Sequence, residues 1–119
     1  MPDLSIETLM SLLPEIFLAE NAAGISAAIN FELSGEDGGD WSVLIRDKIC
    51  NVLPHKAAQP DLILQAHSAD ILSVFTGRLD PARALLFGKL KMTGDMSLAL
   101  RLAELFNTRD DRLRHWKTD

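Results

Sequence analysis

Tyrosine is absent from this chain of 119 residues, cysteine occurs once, and Lys and Arg together number 12 against 17 Asp and Glu. Each shortage excludes something. A lone Cys50 closes no disulfide within the chain and leaves out the Cys-rich spacing of a zinc module, which points to a reducing compartment, the cytoplasm. A net charge of −5 lacks the clustered cations that phosphate backbones require, so nucleic acid is not an expected partner. An anionic membrane is expected to repel the chain for the same reason, and residues 1 to 22 add Asp3, Glu7, Glu15 and Glu20 without one Lys or Arg. No apolar run reaches the length of a membrane span, and the opening Met1-Pro2-Asp3-Leu4-Ser5-Ile6-Glu7 carries acid where a secretory leader carries positive charge. The closing Lys117-Thr118-Asp119 is not a peroxisomal address of the Ser-Lys-Leu kind.

What is present is apolar. A hydrophobic content of 47% with 24% charge belongs to a folded globular chain, and the length fits one domain over residues 1–119 with one core. Five Phe and two Trp supply aromatic surface with little polar handle, which suits an oily interior. Leu4, Leu9, Leu12, Leu13, Ile16 and Phe17 recur at helical spacing, and Pro14 predicts two short helices meeting there, with Gly24 as a stop. From Ala27 to Ser34 the apolar residues alternate, which is the period of a strand with one wet face. The Gly-rich turn 35–40 returns the chain as a second strand over Trp41–Arg46, and Asp47-Lys48 turns it again into Ile49–Leu53. A fourth strand spans Asp61–His67 after Pro60. Ser68 is the expected N-cap of a helix through Thr76, Asp80-Pro81 opens a further helix closed by Gly88, and Lys89–Thr93 alternate as a fifth strand. Asp95 then caps a final helix, and the residues after Asn107 read as a polar, peripheral tail. Strands gathered first, with helices segregated from them, define an α+β fold: a five-stranded, mainly antiparallel sheet with helices covering one face.

The final helix carries too much apolar surface for one neighbour. At about 100° per residue, Ser97, Arg101, Glu104 and Thr108 fall on one stripe and everything else from Met96 to Phe106 is apolar. That arc covers roughly 220°, against roughly 100° for a helix packed on one side. It needs a second apolar contact, either a groove of protein or a ligand. Residues Pro81 to Phe87 show the same excess, with Arg83 alone polar.

Two runs carry a family resemblance. Phe75-Thr76-Gly77-Arg78-Leu79-Asp80-Pro81-Ala82-Arg83-Ala84 is followed by Gly88-Lys89-Leu90-Lys91-Met92-Thr93-Gly94-Asp95-Met96, and Phe31-Glu32-Leu33-Ser34-Gly35 precedes a Gly-rich turn and Trp41. In this order they resemble the lipid-binding domain of the sterol carrier protein two family, over roughly residues 14 to 106. The resemblance implies an apolar tunnel between sheet and helices, and the carriage or presentation of fatty acyl, sterol or isoprenoid-like lipid by a stand-alone, non-catalytic domain without cofactor or metal. Transient contact with a membrane or a lipid enzyme is a further expectation, and oligomeric state is open. The expected walls are Phe31, Ile45, Leu72, Phe75, Leu86, Met92, Met96, Leu100 and Ala103.

Other chemistry is weaker. Cys50, His55 and His67 have no motif that would orient a nucleophile and base, Glu36, Asp37 and Asp40 lack the alternating spacing of a calcium loop, and Asp95 reads as a helix cap. Trp116 among Arg112, Arg114, His115 and Lys117 reads as a docked or frayed tail, with contact to a lipid headgroup or an acidic partner as the alternative. A small pocket enzyme, an isomerase or hydrolase on an apolar substrate, predicts a buried polar group of perturbed pKa inside the cavity, and the sequence places none there. An interaction module with a filled core predicts no cavity and a stable oligomer.

Overall fold

The computed structural model describes residues 4–114. Ser5 opens helix α1 (Ile6–Ile16) by accepting from the Thr8 N–H, and the helix buries Ile6, Leu9, Met10, Leu13 and Ile16 along one stripe. α1 runs through Pro14 rather than breaking into two helices. Proline removes one N–H and crowds the carbonyl four residues back, but here it sits in the last turn on an exposed position, where little helix remains to be disrupted. The chain leaves α1 extended at Phe17, makes a 3₁₀ turn over Ala19–Asn21, and enters the sheet.

The five strands are β1 (Ala27–Ser34), β2 (Gly39–Arg46), β3 (Ile49–Leu53), β4 (Leu62–His67) and β5 (Leu90–Gly94), ordered β3-β2-β1-β4-β5. β1–β2, β2–β3 and β4–β5 pair antiparallel, whereas β1 and β4 run parallel. The β2–β3 turn keeps the expected register, Arg46 opposite Ile49, with Asp47 and Lys48 both at positive φ (53° and 62°) and no glycine to ease it. Period-two alternation puts Ile29, Phe31 and Leu33 on the same face as Val43, Ile45, Leu62 and Leu64, all buried, while Glu32, Gln65 and Lys91 look out the other way.

Parallel pairing of β1 with β4 requires residues 54–61 to cross the outer face of the sheet. Asn30, only 3% exposed, fastens that crossing: its Nδ2 donates to the Ala57 carbonyl (3.0 Å) and its Oδ1 accepts from the Ala57 N–H (2.8 Å). Asp61 then ties the entry of β4 to Ala28 through both its carboxylate and its N–H. Asn30→Ala leaves the Ala57 donor and acceptor unmatched at a half-buried site, and a loss of about 1–2 kcal/mol in urea unfolding is expected.

Helices α2 (Ser68–Phe75), α3 (Pro81–Leu86) and α4 (Met96–Leu105) lie against the inner face. The N-cap of α2 is His67, whose Nδ1 accepts from the Ala69 N–H, and not Ser68 as expected; the Ser68 hydroxyl instead donates to the Glu36 carbonyl and pins the β1–β2 turn. Asp80 and Asp95 cap α3 and α4 as their sequence positions imply. Between β5 and α4, Gly94 is obligatory: its φ is +122°, and a side chain would meet the Asp61 carbonyl at 2.4 Å. Residues 108–113 are mostly exposed, with one buried anchor. In the short helix α5 (Asp111–Arg114), Leu113 is fully buried and Arg112 pairs with Asp110 and Glu15. Trp116, with His115 and Lys117, lies outside the described residues.

Candidate functional site

Between the inner face of the sheet and α2, α3 and α4 lies a cavity of about 370 Å³. Its floor is Phe31, Leu64, Leu90 and Met92, which strand pairing lines up across β1, β4 and β5, with Phe31 opposite Leu64 and Leu64 opposite Met92. Ile71, Val74 and Phe75 of α2 form one side and Leu85 of α3 another. α4 closes the top with Ala99, Leu102 and Ala103, one face of the helix at spacings of three and four. Two alanines stop short of the sheet, and that shortfall is the space.

α4 is anchored at both ends by backbone hydrogen bonds, and near its middle the Arg101 Nη2 donates to the Asn21 carbonyl (3.3 Å). The Asp95 N–H donates to the Asp61 carbonyl (2.8 Å), the Leu18 N–H to that of Leu105 (2.8 Å), and the Asn107 N–H to that of Ile16 (2.8 Å). Asn21 adds a side-chain bond to the Glu104 carbonyl. Phe106 ends the cavity, its ring 5.7 Å from that of Phe17 and 6.5 Å, edge-on, from that of Phe75.

Of the expected walls, Phe31, Phe75, Met92 and Ala103 line this cavity. The other five do not. Ile45 is buried on β2, on the side of the sheet away from β5, and Leu72 is half-buried beside Ile71 on α2. Leu86, Met96 and Leu100 face outward, exposed by 77%, 48% and 81%. The excess apolar arc of α4 therefore divides three ways: Leu98 and Leu105 enter the core, Ala99, Leu102 and Ala103 meet the cavity, and Met96 and Leu100 meet solvent. Of the apolar lining, sequence reasoning missed Leu64, Ile71, Val74, Leu79, Leu85, Leu90, Ala99, Leu102 and Phe106. Two of these had a usable signal, since Leu90 alternates with Met92 and Ala99 precedes Ala103 by one helical turn.

Among the described residues, Asp80 and Thr108 are the only polar side chains in the lining, and Asp80 spends an oxygen on the Arg83 N–H as the α3 cap. Cys50, His55 and His67 stand on separate elements and none lines the cavity. Among the described residues no cluster of His, Cys, Asp and Glu is arranged to hold a metal ion. In the 35–40 turn, Asp37 accepts from the Ile6 N–H at the start of α1. Asp95 has its carboxyl held below the usual range by the Ser97 hydroxyl and the Leu98 N–H, as an N-cap should.

Burial pushes the Cys50 thiol up to about 12 from an ordinary 9.0. The folded chain then holds a proton that the unfolded chain releases, so stability is full below about pH 9 and falls as pH climbs toward about 12. Cys50→Val, which keeps the apolar contact opposite Ile45, is expected to remove this part of the alkaline loss in unfolding curves measured from neutral pH upward.

A one-sided α+β sheet with an apolar void under its helices is a domain with room for an apolar guest. The chain belongs to the SCP-2 sterol transfer family, which it matches over residues 7–107. It is 38% identical to hydroxysteroid dehydrogenase-like protein 2 of Bos taurus over 88 residues, covering 73% of this chain and 21% of that one. It is 32% identical over 84 residues to sterol carrier protein 2 of Oryctolagus cuniculus, covering 68% and 15%. The chain thus spans about a fifth or less of the length of these relatives. Among solved structures, palmitated SCP2L2 from Aedes aegypti superposes with a TM-score of 0.70 at 25% identity, over 85% of this chain and 93% of that one. No helix among the described residues is long and apolar enough to cross a membrane.

Proposed function

We propose that this chain binds one slender lipid, of the fatty acyl kind, in the cavity under α4 and carries or presents it without altering it, in the cytoplasm. The observation that carries the reading is the cavity lining, apolar except for Asp80 and Thr108. Such a wall rewards hydrocarbon at about 0.8 kcal/mol per methylene and needs no directional contact. At about 370 Å³ the space is near the lower end of the roughly 300–1,000 Å³ typical of small-molecule sites, which favours a single chain over a fused-ring sterol. The palmitated relative supports the same choice. A hydrolase or isomerase reading would need a buried polar group free to work inside, whereas both polar side chains of the described lining, Asp80, which caps α3, and Thr108, are exposed to solvent. An open cavity also weighs against the filled-core module.

Organic extraction of the natively purified protein, with an unrelated protein from the same host as control, is expected to yield an enriched acyl lipid near one per chain. Titration of the delipidated protein with palmitate is then expected to shift the NMR signals of Ala99 and Leu102 methyls. A blank extract together with unmoved methyls would sink the proposal.

A further inference from the structure

β5 ends the sheet on one side and pairs only with β4, which leaves its second edge open. Alternation fixes which groups stand there. The Asp95 N–H donates to the Asp61 carbonyl, one step beyond the ladder in which Thr93 lies opposite Ile63 and Lys91 opposite Gln65. In an antiparallel pair, residues that bond the neighbouring strand alternate with residues that turn both N–H and C=O away from it. Thr93 and Lys91 therefore bond β4, while Leu90, Met92 and Gly94 direct their N–H and C=O outward. Counting bonded pairs inward from the β2–β3 turn, where Arg46 lies opposite Ile49, gives the same phase. Among the described residues, no hydrogen bond from a turn, a helix or a side chain reaches these outward groups. Lys91, Thr93 and Gly94 are exposed along the edge.

An open edge is a template for one more strand, and lysines on it ordinarily discourage pairing. Here they select a register. Glu32, Asp40 and Asp70 line the same outer cleft as Lys89 and Lys91, so two such edges meet without a large charge of one sign. Two β5 strands brought together antiparallel about a two-fold axis can set Lys91 against Lys91, which repels, or, one step along, against Thr93. The second register puts Met92 opposite Met92 on the axis and Leu90 opposite Gly94, so every outward N–H and C=O finds a partner. It also brings Lys89 opposite Asp95. Asp95 caps α4 with Oδ1, which accepts from the Ser97 N–H and hydroxyl and from the Leu98 N–H, and Oδ2 has no partner among the described residues. An ammonium group from a second copy fits that oxygen. We infer that the chain forms a two-fold dimer by pairing β5 with β5 of a second copy in this register. Leu90 and Met92 belong to the cavity floor, so the pairing sets two floors side by side in one continuous sheet.

Sedimentation velocity of the full chain, from low micromolar to millimolar concentration, tests it beside amide exchange followed by NMR. The wild type is expected to pass from monomer to dimer, with exchange at Leu90 and Met92 slowing as concentration rises and exchange at Lys91 and Thr93, already bonded to β4, changing less. Thr93→Lys creates a like-charge pair with Lys91 on each side of the axis and should weaken the dimer about fivefold, whereas Thr93→Glu should tighten it about fivefold. Repulsion governed by the net charge of −5 predicts the reverse order, so the signs separate the two causes. Ile49→Glu, on the opposite edge strand β3, should leave the dimer unchanged. Urea midpoints at low concentration show which variants fold, and the exchange pattern of the wild type decides without any of them. A chain that stays monomeric throughout overturns the inference. So does a dimer whose Leu90 and Met92 amides gain no protection, one that both Thr93 variants leave equally tight, or one that Ile49→Glu dissolves, since each puts the contact elsewhere.

Discussion

Replacing Ala99 with tryptophan is expected to cut palmitate affinity by roughly fiftyfold while leaving the chain folded. Ala99 is half-buried and sits on the cavity-facing stripe of α4, whose two ends are held by backbone bonds to Asp61, Ile16 and Leu18. An indole there points at Leu64 and Met92 across the void and occupies space that acyl methylenes would fill. Displacing about three methylenes forfeits about 2.4 kcal/mol, which is the fiftyfold. Stability is the second readout. In a filled core the same change would force an overpacking cost of about 1–3 kcal/mol or more, whereas an open cavity accepts the ring. Calorimetric titration beside a urea melt therefore separates the two cases: unchanged affinity in a folded variant counts against the cavity as the lipid site, and a collapsed midpoint counts against the void. Ala103→Trp should do less, because Ala103 is exposed at the rim and its indole can turn outward.

Why the fold was legible and the site only partly so follows from the range of each signal. Strand alternation in Ala27–Ser34, the Gly-rich turn, and the Asp80 and Asp95 caps are set by residues within a few positions of one another, and these appear in the structure where the sequence puts them. The parallel β1–β4 pair is different, since it depends on Asn30 meeting Ala57 across 27 positions, and neither residue announces it. The walls share that difficulty. A helix with apolar residues around most of its circumference shows that several neighbours exist, but not which arc meets which; Leu100 and Ala103 look alike in sequence, and three residues' rotation sends one to solvent and the other to the cavity. Leu86 was expected inside on composition alone, and α3, at six residues, is too short to turn its whole apolar surface inward. Only tertiary placement decides between pocket and patch.

Phe106→Ala is expected to cost about 3–5 kcal/mol, the range for deleting a buried aromatic ring. Phe106 is 6% exposed and serves three purposes at once. Its backbone leaves α4 in an extended conformation and bridges Phe17, its ring packs on Phe17 and Phe75, and the same ring closes the end of the cavity. Alanine keeps the backbone bridge but removes both ring contacts, so the end of α4 loses its grip on α1 while the void lengthens into the core. Against a typical domain stability of about 5–15 kcal/mol this is a large fraction, and a fall of roughly 12–20 °C in Tm follows for a chain of this size. Saturating palmitate should return part of the loss, because a ligand held only by the folded state stabilises it in proportion to the logarithm of its excess over Kd. A drop of only a few degrees would mean that α1 and α4 are held together by their backbone bonds alone, and a drop that palmitate leaves untouched would place the lipid somewhere other than beside Phe106.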